Sequence, residues 1–330
     1  MENKMIAKPK GSGSIGVATR GSKLALAQTA IVLRLLRRSG FRGDFEVVEV
    51  KTTGDLDRRR PLFRMDQKGI FEKQVNEAVL EGRADFAVHS LKDVPSDLSS
   101  ELVIGCVPKR ARPNDVLVGM GGRKLEQLRP RARVGTSSLR RAVQLLRFRQ
   151  DLAVSPVRGN IESRVRKAES GEFDAIMLAY AGLSRLQMRH VISETFSLRD
   201  FVPAPGQGAI AIVCRKKDQK IRRMLQQIED SKSRAEVVAE RSVVELLEGG
   251  CRFPLGAVAT SKPGRMTLHT SIFSADGSQN ITLRESGEAR YAEQLGKSVA
   301  KKLVAAGALE LAQGWRRAVE EWNGKGGTEV

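Results

Sequence analysis

One arrangement recurs three times in this 330-residue chain and limits its fold more than any other feature. A short apolar run ends in small polar residues with an arginine, and an apolar pattern of helical spacing starts at once. Ile15-Gly-Val-Ala18 runs into Thr19-Arg20-Gly21-Ser22, after which Leu24, Leu26, Ala27, Ile31 and Leu35 recur at helical spacing, with Ser22 as the expected N-cap. Val134 runs into Gly135-Thr-Ser-Ser138 and then Leu139, Val143 and Leu146; Leu152–Val157 runs into Arg158-Gly159-Asn160 and another helix. Between these lie strands at Phe45–Val50, Asp85–Ser90 and Asp174–Ala179 and a helix carrying Phe71, Val75, Ala78 and Val79. Strands separated by helices in this rhythm predict parallel α/β sheets.

The rhythm pauses at Pro108 and Pro113, restarts, and pauses again at Pro203, Pro205, Gly206 and Gly208 before an apolar strand from Ala209 to Cys214. A single strand after such a crossing is the pattern of a chain returning to its first lobe, so two hinged lobes with a cleft are expected. Thr52–Gln67 is polar, arginine-rich and aperiodic, and reads as a mobile loop. The last third differs. Ser233-x-x-Glu236 reads as a capping box opening a helix that stops at Gly249-Gly250. Alternation at Met266–Ile272, the turn Asp276-Gly277 and Ile281/Leu283 read as a hairpin, and a long helix spans Arg290–Ala306. The expected domains are therefore 14–108 with 209–226, 109–208, and a small α+β domain at 227–330.

Composition narrows the chemistry. No apolar stretch approaches the ~20 residues of a membrane span, and the polar, lysine-bearing start lacks the apolar block of a secretory signal. Three histidines, none near another, argue against a histidine-built metal site, and Cys106, Cys214 and Cys251 have neither the number nor the spacing of a disulfide framework or zinc ribbon. A reducing cytoplasm fits best. Lys and Arg number 57 against 38 Asp and Glu, a net charge of +19. Such an excess serves nucleic acid, a membrane surface or a polyanionic small molecule. Aromatics are only 5% and none stands beside Arg58-Arg59-Arg60 or Arg140-Arg141, which weighs against single-strand or base recognition.

The three strand-to-helix turns sharpen this. Free N–H groups and the dipole at a helix start attract anions, and arginine adds a bidentate fork for carboxylate or phosphate. Any one such turn is more simply an N-cap; three of them point to a polyanion site. Their spacing fits neither a Walker A loop nor a dinucleotide fingerprint. His89-Ser-Leu-Lys92-Asp93-Val-Pro95 sets a lysine and an acid at the carboxyl end of a strand, where open α/β sheets build sites and a carboxylate can stabilise a cation or move protons. A surface Lys–Asp pair before a turn explains the motif equally well. Cys251 follows Gly249-Gly250 on an expected exposed turn, a place for an attachment point or nucleophile, while Cys214 and Cys106 read as buried strand residues.

Ala18–Ser22, Lys68-Gly-Ile-Phe71, Val88–Pro95, Val134–Arg141, Val157–Asn160 and Gly249-Gly-Cys-Arg-Phe-Pro254 together resemble the porphobilinogen deaminase (hydroxymethylbilane synthase) family, from about Ile15 to beyond Gly307. The resemblance implies a monomeric cytoplasmic transferase of tetrapyrrole and heme biosynthesis, with two lobes similar to type II periplasmic binding proteins and a small C-terminal domain. It implies head-to-tail condensation of four porphobilinogen molecules with loss of ammonia, on a covalent dipyrromethane primer whose attachment point matches Cys251. The acidic catalytic residue matches Asp93. Residues that hold cofactor or substrate carboxylates match Lys92, Thr136, Ser138, Arg140, Arg141 and Arg158, with Arg20, Ser22 and Arg185 on the substrate side and Lys68 and Phe71 beside the active-site loop. Ser155 stands where the family usually has an arginine, with Arg149 as a replacement to consider, and Asp66-Gln67 stands where it often has Gly-Gly. Two rival classes are a non-catalytic anion-binding module, which needs neither Cys251 nor Asp93, and a basic nucleic-acid-binding protein, prompted by charge alone. No nucleic-acid or membrane partner is expected.

Overall fold

Three β-sheets organise the described residues, and the two larger ones share one strand plan. The computed structural model describes residues 13–51, 72–247 and 255–322, apart from 316, 319 and 320. The described residues form two units: the first holds residues up to Lys51, Glu72–Arg110 and Ala209–Arg234, the second Ala111–Gly208 and the chain from Ala235 onward.

The first unit contains β1 (Ile15–Arg20), α1 (Lys23–Arg38), β2 (Phe45–Val50), α2 (Lys73–Leu80), β3 (Phe86–Ser90), β4 (Leu102–Cys106), β10 (Ile210–Arg215) and α6 (Gln219–Gln226). The strand order is β2-β1-β3-β10-β4; β1 runs parallel to both neighbours, and β10 is antiparallel to β3 and β4. The returning strand thus inserts between β3 and β4, as the isolated apolar run after the second crossing predicts. Alternate residues divide between two cores. Val17, Phe86, Val88 and Ile212 pack with Val32 and Leu36 of α1 and Ile221 and Leu225 of α6, whereas Ala18, Ala87 and Val213 pack with Val75, Ala78 and Val79 of α2. Burial on both faces is why these strands read as unbroken apolar runs.

In the second unit β5 (Asp115–Gly119), β6 (Arg133–Gly135), α3 (Leu139–Phe148), β7 (Ala153–Ser155), α4 (Ile161–Glu169), β8 (Ala175–Ala179), α5 (Tyr180–Arg185) and β9 (Glu194–Thr195) repeat the plan, in strand order β7-β6-β8-β5-β9. Here β5, the strand entering after the first crossing, is the antiparallel insert. This order, with one antiparallel strand in fourth place in each sheet, is that of a type II periplasmic-binding-protein fold. Gly208 (φ +87°) lies where the returning chain meets the outgoing one: Ala111 donates its N–H to the Gly208 carbonyl, and a Cβ on residue 208 would lie 2.5 Å from the Ala111 carbonyl oxygen. Only glycine suits that approach.

The third sheet is the antiparallel meander β11 (Leu255–Lys262), β12 (Arg265–Phe273), β13 (Asn280–Gly287), packed against α7 (Ser231–Leu247) and α8 (Ala292–Ala305), with α9 (Ala308–Leu311) following. The hairpin and long helix stand as the patterning predicts. The capping box does not. Asp230 accepts the Ser233 N–H at 2.8 Å, while Ser233 Oγ accepts from the Arg110 N–H and Glu236 Oε1 from the Ser261 N–H. The helix therefore begins three residues earlier, and the Ser/Glu pair serves neighbouring backbone that local spacing cannot reveal. No helix among the described residues is long and apolar enough to cross a membrane.

Candidate active site

In the first unit, Arg20, Ser22, Leu24, Ala25, Gln28, Glu72, Val88, His89, Ser90 and Asp93 line a small pocket of about 70 Å³. It lies where β1 and β3 end and α1 and α2 begin. Ser22 caps α1, its Oγ accepting the Ala25 N–H at 3.3 Å, which leaves the hydroxyl proton to donate elsewhere. Gln28, buried on the same helix, donates to Ser90 Oγ at 2.8 Å and so fixes Ser90 while leaving that hydroxyl its own proton. Lys92 and Asp93 occupy a single 3₁₀ turn, Leu91–Asp93. Leu91 and Val94 are buried on either side, and the Leu91 N–H bonds the Ala209 carbonyl, so the turn is anchored while Lys92 and Asp93 stay exposed. The structure therefore brings Arg20, Ser22 and Asp93 together, with Lys92 on the same turn.

His89 is a scaffold residue. Its Nε2 lies 3.0 Å from Asn76 Oδ1 of α2, and burial, reinforced by Arg20, drives its pKa down to about 4. Neutral at physiological pH, it ties α2 to β3 and so sets the place of Glu72, which opens α2. Glu72 and Gln28 both face the pocket and were not singled out by sequence. The usable signal was position: each stands within a turn or two of a helix start.

The second unit divides its predicted anion binders into two kinds. Arg140 and Arg141, both under 10% exposed, close on Asp115, which is fully buried. Arg140 donates to Asp115 Oδ2 at 2.8 Å and to the Val202 carbonyl at 2.6 Å. Arg141 Nε donates to Asp115 Oδ1 at 2.8 Å, with further bonds to Gln207 Oε1 and the Met177 carbonyl. Gln207 completes the cluster by donating to Asp115 Oδ1 and the Pro113 carbonyl. Burial works to raise the Asp115 carboxyl, but Arg140, Arg141 and the Gln207 bond hold it below its usual range. Both guanidiniums thus share a carboxylate that enters the sheet with β5. Asp115 stands 25 residues before Arg140, and nothing in the local motif announces the pairing.

The remaining residues are less committed. Thr136 is buried, its Oγ1 accepting the Ser138 N–H, and Ser138 sits at the N-cap of α3 without using its side chain as a cap. Arg158 is half-buried and has no ion-pair partner among the described residues. Gly159 beside it holds φ +109°, and Asn160 caps α4 by accepting the Ser163 N–H at 2.8 Å. Arg164, one turn into α4 and missed by sequence reasoning, donates to the Gly159 carbonyl; burial and then Arg141 lower its pKa to about 10. Such depression marks a cation with too little negative charge around it. Arg185 is also pushed down to about 10 by burial and holds the Gly208 carbonyl at 2.7 Å. Arg149 does not replace the missing arginine at position 155: it grips Asp151 through two bonds and the carbonyls of Leu125 and Leu128.

Cys106 and Cys214 are buried free thiols. Burial raises both, Cys214 to about 11 and Cys106 further, with Glu229 adding to the latter. Neither can supply a thiolate near neutral pH. Lys68, Phe71 and Cys251 lie outside the described residues.

Residues 15–223 match the model of the porphobilinogen deaminase, dipyromethane cofactor binding domain, and residues 234–305 that of the porphobilinogen deaminase C-terminal domain. The chain is 48% identical over 307 residues to a probable porphobilinogen deaminase of Nitrosopumilus maritimus, covering 93% of this chain and 98% of that protein. It is 44% identical over 295 residues to a porphobilinogen deaminase of Desulforudis audaxviator (89% and 96% covered) and 43% over 300 residues to one of Brevibacillus brevis (91% and 96%). With both family models matched in order and near-full-length relatives above 40% identity, the chain belongs to the porphobilinogen deaminase family.

Proposed function

We propose that the protein is a hydroxymethylbilane synthase, a transferase that condenses four porphobilinogen molecules head to tail with release of ammonia. The observation that carries this reading for the chain itself is the first-unit pocket, where Asp93 lies with Arg20 and Ser22 at the carboxyl ends of β1 and β3. Porphobilinogen carries an acetate, a propionate and an aminomethyl group on a pyrrole. Arg20, Ser22 and Arg185 bind its carboxylates, and Lys92 serves the primer. Asp93 accepts the pyrrole N–H and stabilises the positive charge that develops as the aminomethyl group loses ammonia.

The donors of the second unit suit a dipyrromethane, which bears four carboxylates. Thr136, Ser138 and Arg158 would hold it, and Arg164, short of negative charge, supports an anion there. When bound, this primer supplies the pyrrole carbon on which the chain grows. Arg140 and Arg141 bind the primer as well, from a helix start that their bonds to Asp115 hold in position. Cys251 is the attachment residue, and the buried state of Cys106 and Cys214 supports that choice. Lys68 belongs with the residues that hold the primer and Phe71 with those that hold the substrate. The domains run 14–108 with 209–226, 109–208 and 227–330, and the protein works as a cytoplasmic monomer without nucleic-acid or membrane partners.

Intact mass measurement tests this directly. The purified protein should carry a thiol-linked adduct of two pyrrole units, absent from Cys251→Ser and present in Cys106→Ser and Cys214→Ser. Cys251→Ser should also lose all condensation activity. An adduct retained in Cys251→Ser would overturn the attachment site, and failure of the wild-type protein to consume porphobilinogen would overturn the function.

A further inference from the structure

The first-unit pocket contains an acid for which the family resemblance assigns no role. Glu72 is 4% exposed and lines the pocket with Asp93, Arg20, Ser22, Gln28, His89 and Ser90. Its position is fixed from two sides: its carbonyl accepts the Asn76 N–H at 2.8 Å in the first turn of α2, and Asn76 in turn is held by His89. Among the described residues lining the pocket, Arg20 is the one permanent cation, and it faces two carboxyls. A buried carboxyl in that setting is costly to ionise.

Condensation presents a proton problem that one carboxylate solves poorly. Asp93 must be charged to hold the developing cation, and a charged carboxylate has no proton for the leaving amine. We propose that Glu72 is the proton carrier of each condensation, giving a proton to the departing amine and recovering one from the pyrrole carbon that forms the new bond. The aminomethyl nitrogen, bound as the free amine, takes the Glu72 proton, the C–N bond breaks with its electron pair on nitrogen, and ammonia leaves. The C–C bond then forms, the electron pair of the α C–H bond returns to the ring, and the released proton goes to the Glu72 carboxylate. Each cycle ends with Glu72 as it began.

The surroundings agree with this division of labour. Burial, and next Asp93, raise the Glu72 pKa to about 8, against its own backbone N–H and Arg20. Among the described residues, the groups facing it are Asp93 from the turn after β3, Arg20 from the end of β1 and His89 from β3, while α1 and its cap contribute the uncharged Ser22 and Gln28. His89, held down to about 4, does not titrate near pH 8. A buried acid that keeps its proton to a higher pH than usual is suited to act as a general acid.

The inference rests on the pocket being the condensation site, so its test has one arm that does not need activity. In infrared titration of the purified holoenzyme, wild type should show a protonated-carboxyl C=O band at neutral pH that fades through about pH 8, and Glu72→Gln should lack it. In single-turnover reactions of primer-loaded enzyme with porphobilinogen, the wild-type rate should fall as pH rises through that range. Glu72→Gln should be slower by roughly 10²-fold at neutral pH and lose that inflection, and Glu72→Asp should recover part of the rate. A Glu72→Gln enzyme with wild-type rate and pH profile overturns the proposal. So does a wild-type protein without a titrating carboxyl band, which decides the matter even if the variant fails to fold. A wild-type protein that shows the band but does not condense porphobilinogen overturns the function instead.

Discussion

In the first unit two carboxyls, Glu72 and Asp93, line a pocket with one arginine; in the second, two arginines, Arg140 and Arg141, close on one carboxylate, Asp115. Both groups stand at strand ends beside helix starts, and sequence motifs alone treat them alike. Pairing separates them. Asp115 is fully buried and holds two guanidiniums and an amide, so its charge is spent inside the fold. Glu72 is nearly as buried with far less compensation, and its carboxyl is pushed upward where Asp115 is pushed down. Saturated charge builds the scaffold, and unsaturated charge is left for chemistry.

The largest test of that contrast is Asp115→Asn. Removing the one carboxylate leaves two arginines buried without compensation, a loss of about 3–5 kcal/mol. For a unit of this size each kcal/mol lowers Tm by roughly 2–4 °C, so calorimetry should show the second unit melting well below its wild-type temperature. The acid response should change too. A folded-state pKa held down contributes stability above the unfolded value of about 3.9, lost as pH falls through the folded value. The variant should therefore show a flatter acid limb than wild type below about pH 4. An unchanged melt would mean that Arg140 and Arg141 do not depend on Asp115.

Asp93→Asn probes the other side. Asp93 is exposed on an anchored turn, so the variant should melt as wild type does and keep its primer. Single-turnover transfer of pyrrole units should nevertheless fall by about 10²–10³-fold, the scale of losing one aimed electrostatic group. Near wild-type transfer would reduce Asp93 to a turn residue and leave Glu72 as the remaining pocket acid.

The βα rhythm, the return of β10 and the third-domain hairpin were legible because each follows from local periodicity and turn chemistry. Ser22 and Asn160 are caps as read, since a cap is decided within three residues. What sequence could not give is pairing at a distance. Glu236 bonds backbone 25 residues away and Gln207 reaches Asp115 across 92, so neither the lost Ser233 capping box nor the carboxylate that Arg140 and Arg141 share could be read from local spacing. Short strands without alternation, such as Asp115–Gly119, escaped for another: burial on both faces erases the period that would mark them. Glu72 was missed because a single acid after Lys68-Gly-Ile-Phe71 carries no pattern, and only burial beside Asp93 makes it notable.

The mildest test concerns Arg158, the second unit's counterpart to its locked arginines. It shares their motif context, a strand end before a capped helix, but is half-buried and has no ion-pair partner among the described residues. Its loss should therefore leave stability nearly untouched, unlike loss of Arg141, which would strip Asp115 of a partner. If it binds a carboxylate, Arg158→Ala should weaken that contact by roughly 1.5–3 kcal/mol, the range for a charged hydrogen bond, or about 10- to 150-fold in affinity. The defect should appear as slow primer loading or stalled short products, read by intact mass after timed additions of porphobilinogen. Arg158→Lys keeps the charge but not the planar fork, so partial recovery would indicate a point-charge contact and no recovery a bidentate one. Normal loading and product length in Arg158→Ala would show that an unpaired arginine at a helix start is only surface charge, and the rule drawn from pairing would then hold for the scaffold alone.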